Sequence, residues 1–240
     1  WRLWSCIDWS YRLIPDFQRL FAQLSVFKGG WTAKSAEFVT EDPNILSNLQ
    51  SLRRQSLIEE ISRGREVRFG MLESIHDFAT SKLAADDPAR NRHTDYFMKI
   101  LECTQEKQSF EAQSSAFEAI ETELENIRIA FANCVATDPD RALKAAIGAN
   151  NYFIAMGRQI LGLDWLALAE QGQKSPLSDS MGIDFYLSQS QLLRTIRREN
   201  EGRTALDNCL QLAKATDIDS RIKVIVALSG QFLNEGRLKE

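Results

Sequence analysis

Apolar residues recur three and four positions apart along most of this chain, and the one clear departure from that spacing organises the rest. Leu3, Trp4, Ile7, Tyr11 and Ile14 share one face and predict a first helix over residues 1–13. Pro15 suits the first turn of a second helix, 16–26, with Phe17, Leu20, Phe21 and Leu24 on one side and Gly29-Gly30 beyond its end. Thr32 is placed to cap a short third helix through Val39, and Pro43 forces a stop before the next segment, 43–55, which turns Ile45, Leu46, Leu49 and Leu52 inward. The period then changes from helical to alternating. Leu57–Ile61 and Glu66–Phe69 flank the polar turn Ser62-Arg63-Gly64-Arg65, which predicts a β-hairpin. A helix over 72–85 follows at once, with Leu72, Ile75, Phe78, Ala79 and Leu83 aligned, and Asp86-Asp87-Pro88 marks a domain boundary. A two-stranded hairpin is not stable alone, so it must pack on the helices before it.

Beyond Ala89 no segment alternates. Helices are predicted over 90–103, 116–135, 140–155 and 160–171, with loops over 105–115 and 172–182. The tail carries an internal repeat: Asn200-Glu201-Gly202-Arg203 recurs as Asn234-Glu235-Gly236-Arg237. The offset, from position 200 to position 234, is the tetratricopeptide period, and the glycine is expected at the reversal between two antiparallel helices. The fold class expected is mostly α: a winged-helix domain (helices plus a small β-hairpin) over 1–86, connecting helices over 87–136, and a solenoid of tetratricopeptide-like repeats over 137–240. The chain begins on Trp1 and ends within the second repeat motif, and reads as a fragment of a longer protein.

Composition narrows the function classes. A net charge of −4 argues against a chain dominated by nucleic-acid or anionic-membrane contact. No apolar run approaches membrane-spanning length. The four cysteines, Cys6, Cys103, Cys134 and Cys209, lack metal-ligand spacing and fit reduced thiols buried in helices of a cytoplasmic protein. Lys28–Ser35 lacks both glycines of a phosphate-binding loop and has no strand before it. His76 and Asp77 are adjacent on a helix and diverge, so they make no preset dyad, and His93 has no partner ligand in view. Glu118, Glu121, Glu123 and Glu125 read as a solvated helix face. Trp1, Trp4, Trp9 and Tyr11, at helical spacing, are expected to pack in a core. No catalytic or metal-binding set is expected, and no enzyme activity in this chain.

One basic cluster remains: Arg53, Arg54, Arg63, Arg65 and Arg68, at the end of the fourth helical segment and across the hairpin. Such positions carry phosphate contacts in winged-helix DNA binders. Residues 1–86 nevertheless hold 11 basic and 11 acidic side chains, whereas DNA binding calls for a positive excess. Interdomain docking onto acidic or phosphate-bearing neighbours is the expected role, and nucleic-acid binding the alternative.

Several motifs together resemble a known family. Ile7–Tyr11 and Leu20–Thr32 (LFAQLSVFKGGWT) are similar to the DWSY and RLFxxLSVFxGGFT runs that follow the nucleotide-binding core of bacterial STAND-type signal-transduction ATPases. Leu52–Ile58 resembles LVDKSLV, Phe69–Ala79 resembles YRLLETVRQYA, Arg92–Phe97 resembles RRHAxYY, and Leu124–Ala130 resembles LDNLRAAL of the same family. The resemblance implies a winged helix that packs on a nucleotide-binding domain before Trp1, and helical repeats that sense a protein or a small-molecule inducer, as in LuxR- and SARP-type transcription regulators. ATP or ADP with Mg²⁺ would bind in the full-length parent, and no cofactor in this part. Related switches sense the nucleotide phosphate through a Met-His-Asp motif. The matching positions here are Met71-Leu72-Glu73, and His76-Asp77 lies a turn later.

Overall fold

The computed structural model describes residues 2–63, 66–103, 109–213, 222 and 224–226. It is mostly helical with one small antiparallel sheet. Contacts divide the chain into two compact units. The first comprises Trp1–Ile100 with Glu118–Asn133, and the second Leu101–Phe117 with Cys134–Glu240.

The first unit opens with α1 (Arg2–Arg12), a 3₁₀ turn at Pro15–Phe17, α2 (Gln18–Gln23) and a second 3₁₀ turn at Leu24–Val26. Strand β1 (Trp31–Thr32) follows, then α3 (Ala33–Thr40) and α4 (Ile45–Arg54). Thr32 starts α3 as a capping box. Its Oγ1 accepts from the Ser35 amide at 3.1 Å, while its own amide donates to Ser35 Oγ at 3.0 Å, so two otherwise unpaired donors are satisfied reciprocally. Glu41 ends the helix in the left-handed region, φ 56°, with its amide on the Glu37 carbonyl.

The hairpin is β2 (Glu59–Arg63) and β3 (Glu66–Gly70), and the sheet order is β1-β3-β2. Trp31 pairs with Phe69 and Thr32 with Arg68, while Glu59 pairs with Gly70 and Ile61 with Arg68. The third strand, β1, is too short for an alternation to show in sequence. Helix α5 (Glu73–Lys82) then buries Ile75, Phe78 and Ala79. The core of this unit gathers Phe21, Leu24, Phe27, Trp31, Leu49, Leu52 and Phe97, all at 1% exposure or less.

Helix α6 (Ala89–Glu102) is followed by α7 (Phe110–Thr122) and α8 (Leu124–Thr137). The single helix expected over 116–135 is thus two, with Glu123 at the junction. Part of the expected 105–115 loop is helical, because Ser109 Oγ accepts from the Ala112 amide and starts α7 at Phe110. Likewise 140–155 divides into α9 (Pro139–Gly148) and α10 (Asn150–Ala155) at Ala149, φ −79° and ψ 4°. Asp138 caps α9 through the Arg141 amide at 3.1 Å, with Pro139 in the first turn.

The second unit continues with α11 (Gln159–Gln171), α12 (Asp179–Thr195) and α13 (Glu199–Ala213). Gly202 is not at a chain reversal, as its sequence context suggested. It lies inside α13, where a Cβ would stand 3.1 Å from Arg194 Cγ and 3.5 Å from the Ser190 carbonyl oxygen, so it permits close helix approach. The reversal is made by Arg197, at φ 62°. The second copy of the Asn-Glu-Gly-Arg motif, at 234–237, lies outside the described residues.

Candidate functional site

The densest polar constellation in the first unit surrounds the loop from Phe27 to Gly30. Gly29 and Gly30 both adopt positive φ, 80° and 91°, and a Cβ on Gly30 would lie 2.8 Å from the Phe69 carbonyl oxygen. Only glycine allows β3 to come this close. Four side chains from four elements grip the loop. Asn126 of α8 accepts from the Lys28 amide at 2.7 Å through Oδ1, and donates through Nδ2 to the Gly30 carbonyl at 2.9 Å. Arg68 of β3 donates to the same carbonyl at 3.1 Å and chelates the Glu123 carboxylate, with one bond at 2.9 Å and a second to Oε1. His76 of α5 meets the Phe27 carbonyl at 3.1 Å. His93 of α6 packs edge-on against Phe27 and at a tilt against Phe97, and reaches Asn126 Oδ1 at 3.4 Å.

The electrostatics follow from burial. Arg68 is 3% exposed and the Glu123 side chain 11%, so this ion pair is desolvated and held by its geometry. His93 is 1% exposed, and its pKa falls to about 4 because burial penalises the imidazolium more than the Asn126 bond favours it. Asn126 Oδ1 can only accept, so the His93 proton sits on Nε2, and Nδ1 faces the core without a partner.

The five arginines separate. Arg68 does not face outward: it is committed to Glu123 and Gly30. Arg53 pairs with Glu60 at 2.7 Å on the surface of the unit. Arg54 is exposed at the end of α4. Arg65 and the side chain of Arg63 lie outside the described residues. The structure therefore does not gather Arg53, Arg54 and Arg68 into one basic surface. Glu123, assigned by sequence to a solvated acidic face, is instead the buried partner of Arg68, because the break between α7 and α8 turns it toward β3. Asn126, which bonds Lys28, Gly30, Glu123 and His93, was read in the sequence only as part of the Leu124–Ala130 motif and not as a site residue. Its local signal was a polar side chain among the apolar positions Leu124, Ile127 and Ala130 of α8.

The tryptophans depart from expectation too. Trp4 is 46% and Trp9 65% exposed, because α1 turns Ile7 inward instead. Cys6 and Cys103 are exposed as well, whereas Cys134 and Cys209 are buried. Burial, with Asp184 adding to it, pushes the Cys209 thiol up to about 11, which keeps it protonated and unreactive. Among the described residues, no three His, Cys, Asp or Glu side chains converge as metal ligands would. Open clefts lie within the units. One of about 390 Å³ in the first unit is lined by Arg53, Leu57, Glu59, Glu60, Leu72 and Ile75. One of about 500 Å³ in the second is lined by Glu102, Asp138, Asp140, Arg141 and Lys144, with Arg141 held on Glu102 at 2.7 Å.

The second unit contains a geometric repeat. Gly157 and Arg197 both adopt positive φ at a helix reversal, 67° and 62°. The Arg158 amide donates to Phe153 O at 2.7 Å, and the Arg198 amide to Leu193 O at 2.9 Å. Gly162 and Gly202 each donate to the residue four before, at 3.0 Å, and each stands where a Cβ would crowd the preceding helix. One sequence interval, that from Gly157 to Arg197, separates the members of every pair: Phe153 from Leu193, Arg158 from Arg198, and Gly162 from Gly202. At that interval α12 matches α9 and α10 taken together and α13 matches α11, so the two hairpins are geometric copies.

The fold defines a mostly helical protein with a three-stranded antiparallel sheet, and no described helix is long and apolar enough to cross a membrane. No protein-family model matches the chain, and neither a curated protein nor a solved structure matches it.

Proposed function

We propose that the chain is a regulatory and scaffold module of a STAND-type signalling protein, in which a winged-helix unit connects a nucleotide-binding domain to tetratricopeptide-like repeats. The order α3, α4, β2, β3, α5, with β1 on the far side of β3, supports the winged-helix reading. The observation that carries the rest is the repeated helical hairpin, α9–α11 and α12–α13, in which a positive-φ reversal is followed by a close-approach glycine, Gly157 by Gly162 and Arg197 by Gly202. Stacked hairpins of this kind present extended surfaces to proteins or small ligands. The interval exceeds the tetratricopeptide period because residues 172–178 form a long connection between the copies. In this reading ATP or ADP with Mg²⁺ belongs to the partner domain, the repeats sense a protein or inducer, and the module works in the cytoplasm. Arg68 is committed to Glu123 and Arg53 to Glu60, which takes two of the five arginines out of an outward basic surface and disfavours the alternative of a DNA-binding regulator.

The test is hydrogen exchange on the full-length parent protein with ATP and with ADP. Nucleotide-dependent protection in α10–α13 is the expected result. Identical exchange in both states overturns the coupling, and salt-sensitive duplex binding by this chain in a filter assay would favour the DNA-binding alternative instead.

A further inference from the structure

Strand β2 is the outer strand of its sheet, with β3 on one side and no described strand paired on the other. The backbone groups on the open side follow from the register. The Phe69 carbonyl faces Gly30 on the β1 side, so Phe69 and its partner Glu60 exchange no hydrogen bonds, while the alternate pairs Ile61–Arg68 and Glu59–Gly70 do. Ile61 and Glu59 therefore direct their amides and carbonyls to β3, and Glu60 directs its own away from the sheet. Among the described residues no hydrogen bond meets the Glu60 amide or carbonyl.

The 390 Å³ cleft lies at the start of β2, lined there by Glu59, Glu60 and the preceding Ser56–Ile58. Its floor is apolar: Leu57 is 1% and Ile75 8% exposed, and Leu72, at the entry to α5, is 57% exposed on its rim. A lone exposed leucine is ordinary. Here it borders a pocket beside an unpaired strand, which is the combination that strand addition uses: main-chain bonds along the edge, and a pocket for alternate side chains. Charge selects among occupants. Arg53 and Glu60 neutralise one another at 2.7 Å, whereas Glu59 is exposed beside the cleft with no ion-pair partner among the described residues. Sheet edges are usually guarded by an unpaired charge, a proline or a bulge. Here Glu59 is such a charge, so a segment that brings a cation can pair with the edge where an acidic one is repelled, and no proline interrupts residues 56–63.

We infer that the β2 edge and its cleft form a docking site for an extended, basic peptide segment of a partner protein, which adds to the sheet as a fourth strand. An apolar side chain of that segment fills the space between Leu57, Leu72 and Ile75, and a neighbouring Lys or Arg meets Glu59. The site does not depend on the signalling role proposed above and stands or falls separately.

The test is fluorescence anisotropy on the full chain with a labelled heptapeptide that alternates valine with threonine and has one central lysine. Three controls accompany it: the same peptide with glutamate for the lysine, the same peptide N-methylated at alternate residues, and the E59K and L72D proteins. Leu72 is exposed, so L72D should keep the fold, which circular dichroism checks. Saturable binding is expected, at least ten-fold weaker for the glutamate peptide, the N-methylated peptide, E59K and L72D. No binding at millimolar peptide overturns the proposal. Equal binding of the N-methylated peptide overturns strand addition, equal binding to L72D overturns the apolar pocket, and equal binding to E59K or by the glutamate peptide overturns the choice of a basic partner.

Discussion

Acidification should weaken the first unit through one residue, His93. Its imidazole is 1% exposed, lies between the Phe27 and Phe97 rings, and donates from Nε2 to Asn126. A second proton would have to enter at Nδ1, which faces the core without a partner. The pKa therefore drops from 6.5 to about 4 on folding. Above pH 6.5 the residue is neutral in both states and costs nothing. As pH falls, the unfolded chain takes up the proton first and is favoured, so stability is lost from about pH 6.5 down to about pH 4 and no further below. The full effect is about 3 kcal/mol, and about 2 kcal/mol is already lost between pH 8 and pH 5. Solvent screening does not reduce this, because the ring is dry. Urea unfolding followed by tryptophan fluorescence suits the measurement, since Trp31 stacks on Phe27 at 5.4 Å beside the site. H93Q places an amide donor near the Nε2 position and cannot titrate. Every other titrating group is common to both proteins, so the difference in their pH slopes isolates His93. The wild type should lose about 2 kcal/mol more than H93Q over that interval. Equal losses, within about 0.5 kcal/mol, would refute the account of a neutral buried imidazole.

R68M leaves Glu123 buried without its cation and should cost about 3 kcal/mol, while R68M/E123L should recover most of it, as read by urea midpoints. N126A removes the acceptor for the Lys28 amide and the second donor to Gly30, and should cost about 2 kcal/mol, with amide exchange accelerating at Lys28 first. G157A meets no atom within 4 Å, so its cost is backbone strain alone, about 1 kcal/mol, and R197G at the equivalent reversal should be neutral or slightly stabilising. G162A drives a methyl to 2.7 Å from the Phe153 ring and should cost about 1–3 kcal/mol by thermal melts.

The helical framework was legible because burial imposes a period on the sequence. The faces of α2, α4 and α5 were readable except at Leu46 and Leu72, which were expected inward and are 61% and 57% exposed, and Thr32 signalled the start of α3 by its chemistry. What was not legible arises from residues far apart in the chain. Strand β1 exists because Gly29 and Gly30 let Trp31 reach Phe69, a pairing that two residues cannot announce. The break at Glu123 interrupts a pattern that would satisfy one long helix equally well. It is favoured because it brings Glu123 to Arg68 and Asn126 to Gly30, and neither partner is local. The arginine cluster misled for the same reason. Proximity in sequence placed Arg68 with Arg53 and Arg54, but alternation in β3 sends it to the opposite side from a surface role.

The two repeats argue the same point from the other direction. The identity between 200–203 and 234–237 places its first glycine inside α13, where it serves packing, while the structural equivalence pairs Gly157 with Arg197. Sequence identity and structural role separate there because a helix reversal constrains backbone dihedrals more than side chains. Glycine satisfies the left-handed position without strain, and arginine satisfies it at a cost of about 1 kcal/mol that the surrounding packing tolerates. The close-approach glycines are held more strictly. Any Cβ at Gly162 would meet Phe153 and Leu192, and one at Gly202 would press on Arg194. The residue type is therefore retained where two helices touch and released where the chain merely turns, so an alignment anchored on the turn misses the repeat that one anchored on the contact finds.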